Sequence, residues 1–162
     1  MIATANGQAC RFSEEETRPM GRVTRGVIGI RLRKGDRVVS MAIVGEEGNL
    51  LTITENGFGK RSHISEYRKT HRGSKGVRTI ITNERNGQVI YVKEVTDEDE
   101  IILTSKDGMI VRIPVKDIRI QGRNTMGVTI MRLNDDDKVV SVSKIVEKDD
   151  QELCEIDEDE EK

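Results

Sequence analysis

Residues 50–68, LLTITENGFGKRSHISEYR, decide the fold, because the chain carries this stretch three times in altered form. The apolar run at 50–54 ends at Asn56-Gly57. An Asn-Gly pair after a β-branched run signals a hairpin, since its glycine reaches the left-handed backbone that a tight turn needs. Residues 58–62 then read as the returning strand. The same pattern recurs at Gly7 (TANG) and Gly108 (SKDG), with the three glycines spaced by 50 and 51 residues.

Counting onward from each glycine, the copies stay in step. Arg11, Arg61 and Arg112 stand four residues on; Glu16, Glu66 and Asp117 stand nine on. Arg18, Arg68 and Arg119 follow at eleven, and Arg22, Arg72 and Arg123 at fifteen. At nineteen come Gly26, Gly76 and Gly127, each followed by Val, and each copy closes on a pair of β-branched residues (Val38-Val39, Val89-Ile90, Val139-Val140). The chain is therefore three units, 1–44, 45–95 and 96–145, followed by a tail at 146–162. A period near 50 belongs to propeller-like or solenoid arrays. The runs VIGIRL, VRTIIT and VTIMRL supply a further strand after each glycine hinge, giving about four strands per unit, the content of a propeller blade. The segments SEEET and VKDI make at most a turn of helix.

Composition narrows the function. Of the 162 residues, 35% are charged and only 2% aromatic, which weakens any reading built on base stacking. No apolar run reaches membrane length, and no signal-peptide core follows Met1, so a soluble, cytoplasmic chain is expected. Cys10 and Cys154 lie far apart outside any CxxC context and read as free thiols of a reducing compartment. His63 and His71 have no Cys or His partner nearby, so no metal site is expected.

The net charge of −2 hides a segregation. The tail carries ten acids and two lysines, leaving 25 cations against 19 acids in residues 1–145. A basic body with an acidic tail suggests a polyanion partner and an internal competitor for it; the plainer reading is a solubilising tail.

The repeated cations sort by context. Arg11, Arg61 and Arg112, just past each hairpin turn, are expected to pair with Glu16, Glu66 and Asp117 and to fix the unit. Arg18, Arg68 and Arg119 suit either pairing or phosphate contact. Arg22, Arg72 and Arg123, with Arg25 and Lys75, sit on glycine-flanked loops that a phosphate can approach closely. With Lys69 and Arg78 they make the candidate polyanion-binding set: Arg22, Arg25, Arg68, Lys69, Arg72, Lys75, Arg78, Arg119 and Arg123. A hinge explains the glycines without a ligand, but not an Arg at the same place three times.

The stretches GRVTRGVIGIRLRKGDRVVSM, TENGFGKRSHISEYR, TNERNGQVI and SKDGMIVRIPVKDIRIQGRNTMGV together resemble the C-terminal domain of the DNA gyrase A polypeptide; the related domain of topoisomerase IV is the nearest competitor. The resemblance covers residues 1–145. It implies an all-β fold, a β-pinwheel whose blades exchange strands, which binds double-stranded DNA on its basic perimeter and wraps it. It also implies partners in the rest of gyrase A and in gyrase B, chromosome association in a bacterial cytoplasm, and ATP and Mg²⁺ in the holoenzyme, with none in this chain. Of the family's wrapping motif Gln-Arg-Arg-Gly-Gly-Lys-Gly, residues 70–76 keep Arg72, Gly73, Lys75 and Gly76. Such worn copies are expected on blades other than the first, so this chain resembles the later blades, and with three blades against the family's about six it resembles a partial product. Three blades leave two open sheet edges, which invite self-association. No catalytic residues are expected: Tyr67 and Tyr91 lie in β contexts, and there is no GxxxxGK[ST] phosphate loop. A protein-docking propeller and an inert fragment are the rival readings.

Overall fold

The computed structural model describes residues 1–145, so the acidic tail lies outside the described residues. Eleven strands alternate with three single 3₁₀ turns. They are β1 (Ile2–Thr4), β2 (Gln8–Cys10), β3 (Val38–Met41), β4 (Asn49–Thr54), β5 (Phe58–His63), β6 (Val77–Arg78), β7 (Val89–Val95), β8 (Glu100–Ser105), β9 (Ile110–Pro114), β10 (Val128–Thr129) and β11 (Val139–Ile145). The turns are Glu14–Glu16, Ile64–Glu66 and Val115–Asp117; the first and third fall where SEEET and VKDI suggested.

The strands form three antiparallel sheets, ordered β3-β1-β2-β6, β10-β5-β4-β7 and β11-β8-β9. The outermost strand of each four-stranded sheet comes from the following repeat. Val77 pairs with Ala9 and Arg78 with Gln8; Val128 pairs with Gly59 and Thr129 with Phe58. This is the strand exchange of a pinwheel. Strands β3, β7 and β11 sit at the opposite edge, where β7 lies against both of the others. They form the hub, and β6 and β10 the outer edge.

The expectation of three four-stranded blades is corrected: the third sheet has three strands among the described residues. The physical reason is the exchange itself, since the fourth strand of a blade belongs to the next repeat. For the same reason VIGIRL is not a strand. Among the described residues there is no sheet of an earlier repeat for it to join, and Ile30 makes only an isolated bridge to Ser74. VRTIIT and VTIMRL are strand only over two residues each.

The core lies between the sheets. Leu50, Ile64, Tyr67, Ile80 and Val92 pack against Met1, Ala3 and Ala9 of the first sheet. Leu51 and Ile53 pack on the other side against Ile101, Leu103, Val115 and Met131. The middle sheet is thus covered on both faces. Leu50 and Leu51 are both wholly buried although they point to opposite faces, which is why this strand reads as a continuous apolar run. Burying such a side chain contributes about 1.5–3 kcal/mol.

Candidate nucleic-acid interface

The arginine four residues past the hairpin glycine is a blade-to-blade tie in the first two repeats. Arg11 donates to Gly45 O (2.8 Å) and Tyr67 O (3.3 Å) and pairs with Glu46 at 2.9 Å. Arg61 repeats the arrangement one blade on, donating to Ile118 O (2.7 Å) and Lys116 O (3.2 Å) and pairing with Asp97. Arg112 pairs with Glu100 on the neighbouring strand. The expected partners Glu16, Glu66 and Asp117 are therefore corrected. Arg11 and Arg61 reach past their own repeat to the next 3₁₀ turn and to the segment joining the two repeats, and the acid there neutralises them.

Glu16 and Glu66 instead serve the loops. Glu16 Oε2 accepts the Arg72 backbone N–H at 3.0 Å, and Glu66 Oε2 accepts that of Arg123 at 3.1 Å. Each acid thus fixes the start of the next repeat's loop. Arg72 also donates Nε to Glu16 O (3.0 Å) and an Nη to Ile28 O (3.3 Å). Arg123 donates to Arg78 O (3.0 Å) and its guanidinium lies 5.7 Å from the Tyr67 ring centroid. Both side chains are half-buried, so they hold the loops as well as facing outward.

The loops are stitched to one another along the outer edge. Gly73 N donates to Gly29 O at 2.7 Å, Arg31 N to Ser74 O at 2.9 Å, and Ile81 N to Thr125 O at 2.9 Å. Gly76 and Gly127 make the close approach possible. Their φ values are +71° and +80°, and a Cβ on either would stand 2.6 Å from Ala9 O or 2.7 Å from Gly59 O.

Arg68, Lys69, Arg72, Lys75, Arg78, Arg119 and Arg123 therefore lie on connected segments, whereas Arg22 and Arg25 stand on the first repeat's own exposed loop, where the Thr24 backbone N–H donates to Gly21 O at 3.2 Å and an added Cβ at Gly26 would meet nothing within 4 Å. Arg22, Arg25, Arg68, Lys69, Lys75, Arg78 and Arg119 are exposed. Lys69 lies 3.9 Å from Glu46. The side chains of Arg22, Arg25, Arg68, Lys75, Arg78 and Arg119 make no hydrogen bond or ion pair among the described residues. Exposed cations held on an ordered backbone, unspent on internal pairs, can neutralise a phosphate chain.

Sequence reasoning missed Lys60. It is wholly buried, three residues past the hairpin glycine, where the other repeats place Cys10 and Val111. A lysine in a column otherwise small or apolar was the available signal.

The sequence profile of the DNA gyrase C-terminal domain, beta-propeller, matches residues 1–45, 48–96 and 99–145. The chain belongs to the DNA gyrase C-terminal domain family. It is 46% identical over 146 residues to the DNA gyrase A polypeptide of Chlamydia pneumoniae, matching 90% of this chain and 18% of that protein. It is 48% identical over 139 residues to the corresponding polypeptide of Fibrobacter succinogenes, matching 86% of this chain and 15% of that protein. The chain thus spans under a fifth of the length of these relatives. Among solved structures, a DNA gyrase A C-terminal domain superposes with a TM-score of 0.83 at 33% identity, covering 90% of this chain and 50% of that one. A topoisomerase IV C-terminal domain superposes with a TM-score of 0.82 at 29% identity, covering 89% and 45%. The strand-exchanged all-β fold expected from the resemblance is borne out. Among the described residues no helix is long and apolar enough to cross a membrane.

Proposed function

We propose that this chain is a DNA-binding and DNA-wrapping module of a gyrase A polypeptide, acting without catalytic residues of its own. The observation that carries the reading is the stitched outer-edge loops, which present Lys75, Arg78 and Arg119 unpaired among the described residues, with Arg72 and Arg123 anchored among them; Arg22 and Arg25 add to the set from the first repeat's exposed loop. Lys69 and Arg68 extend the set. Phosphate neutralisation by these groups releases counterions, so affinity falls steeply with salt. Sequence preference comes from DNA bendability, since phosphate contacts carry no base information. Bending a few tens of base pairs costs on the order of several kcal/mol, so the contacts must be spread over successive blades.

In the whole enzyme, DNA wrapped on this edge is handed to the strand-passage machinery formed with the rest of gyrase A and with gyrase B. ATP and Mg²⁺ act there, in negative supercoiling, and the chain works on the chromosome in the cytoplasm. The acidic tail competes with DNA for the basic edge. The outer edge of β9 and the Gly26-Val27 segment of the first repeat are the two halves of a blade junction without a described partner; by the register of the two internal junctions, Val27 would face Ile110. They would close on other blades of the same polypeptide or on a second copy.

The test is binding to a random-sequence duplex over a salt series, for residues 1–162 and 1–145. Salt-steep binding that tightens on losing the tail supports the module and its competitor together. Absence of binding by both forms at low salt refutes it and favours protein docking.

A further inference from the structure

Lys60 is a buried charge without a carboxylate partner among the described residues. Its Nζ donates to Gly122 O (2.6 Å), Arg123 O (2.9 Å) and Thr125 Oγ1 (3.1 Å). All three ammonium protons are thus spent on one loop, and that loop comes from the next repeat. Thr52 stands opposite Lys60 on β4, and β10 places Val128 opposite Gly59. Glu66 from the 3₁₀ turn and Arg123 from the loop are the charges that act on it, and the Tyr67 phenol is engaged by Thr79 Oγ1 at 2.7 Å.

The other repeats show what this position does. Cys10, the counterpart of Lys60, lies under the equivalent loop, its Sγ 3.0 Å from Ser74 Oγ and 3.9 Å from His71 O. Val111 holds the place in the third repeat. The column is therefore a floor beneath the arginine loop, and an uncharged side chain can form it. An ammonium there must be desolvated, which is costly unless every proton is bonded. What it adds is direction. Two consecutive peptide oxygens, of Gly122 and Arg123, are drawn inward, so the negative ends of those dipoles turn away from the outer edge where an anion would approach.

We propose that Lys60 is a positioning residue for DNA binding: it ties down the loop around Arg123 and turns its carbonyl groups inward, so that Arg119 and Arg123 meet a phosphate backbone in fixed geometry. This rests on the DNA-binding reading. Desolvation by burial lowers the Lys60 pKa to about 8, against the opposing pull of Glu66. The anchor therefore loses a proton within an accessible pH range, and nearby phosphates, which favour the charged form, bind less well once it is lost.

The experiment compares the wild type, Lys60→Met and Lys60→Arg in two readouts. One is amide hydrogen exchange of the free protein over residues 121–127, corrected for intrinsic rates. The other is affinity for a random-sequence duplex, over a salt series at pH 7 and pH 9. In Lys60→Met we expect roughly tenfold faster exchange confined to this loop and a salt slope smaller by about one. The wild type should bind several-fold more weakly at pH 9 than at pH 7, while Lys60→Arg, charged throughout, and Lys60→Met should lack that loss. A folded Lys60→Met with wild-type exchange and wild-type salt slope overturns the proposal. Should Lys60→Met fail to fold, Lys60→Cys, the residue the first repeat carries at this place, replaces it, and wild-type exchange with a wild-type salt slope in that variant overturns the proposal. Faster loop exchange in a protein that binds no duplex in any form overturns the DNA-binding reading and leaves Lys60 as a loop anchor only.

Discussion

Arg61 and Arg112 occupy the same place in successive repeats, and the structure gives them very different stakes. Arg61 is nearly inaccessible and donates to the carbonyls of Ile118 and Lys116 in the next repeat's turn. Replacing it with Met keeps part of the stem's packing but removes both donors. Ile118 is buried, so its carbonyl would be left without a partner, at about 1–3 kcal/mol. Lys116 is exposed and its carbonyl can turn to water. The ion pair adds little, because the Asp97 side chain is 68% exposed and about 0–1 kcal/mol is ordinary for such a pair. The expected cost of Arg61→Met is therefore about 1–4 kcal/mol, a fall in melting temperature of about 2–16 °C for a domain of this size. Arg112→Met should cost within about 1 kcal/mol, since that side chain is 57% exposed and pairs with Glu100 at the surface. Urea unfolding of the three proteins measures both. Equal costs at the two positions, or an Arg61→Met protein as stable as wild type, would refute the blade-tie reasoning.

Gly127→Ala should destabilise more than Gly26→Ala. Both glycines have positive φ, but an added Cβ meets Gly59 O at 2.7 Å in one case and nothing within 4 Å in the other, so the second variant carries only the backbone penalty of about 1 kcal/mol; unfolding curves decide. Stability should also respond to pH through Lys60. Its folded pKa of about 8 lies below the ordinary 10.5, so the unfolded chain binds more protons between those values. Stability should then rise with pH across that window, and a Lys60→Met protein measured in parallel should lack the rise. At the acid end, Lys144 and the Thr96 N–H hold the Asp99 carboxyl below its usual value despite opposing burial. That stabilisation is present above the ordinary carboxylate pKa and lost as pH falls through the lowered one, so Asp99→Asn should flatten the acid limb of a stability-against-pH curve.

The repeat, the all-β class and the basic loops were legible in the chain, because hairpin turns, hinges and strand alternation are local. A glycine that must reach positive φ is needed wherever the turn occurs, so Gly7, Gly57 and Gly108 mark the units regardless of what packs on them. Continuous burial of residues 50–54 was visible as an unbroken apolar run, and its cause, a sheet covered on both faces, follows from stacking three units. The candidate arginines Arg22, Arg68, Arg72, Arg119 and Arg123 were likewise found by their recurrence at a fixed offset, which backbone geometry alone does not require.

What tertiary structure decided was which repeat each group serves. Sequence spacing placed Arg11 near Glu16 and Arg61 near Glu66, yet in the folded chain these acids hold the loops of Arg72 and Arg123, while the arginines reach Glu46 and Asp97. The exchange of β6 and β10 into the preceding sheet moves the contacts after the hinge one blade along. Lys60 shows the same limit most sharply: nothing within its own repeat explains a buried ammonium, because all three of its acceptors belong to the next. Local propensities settle along the chain, whereas the pairing of charges depends on distance in space, and strand exchange makes the nearest group in space a residue some sixty positions away.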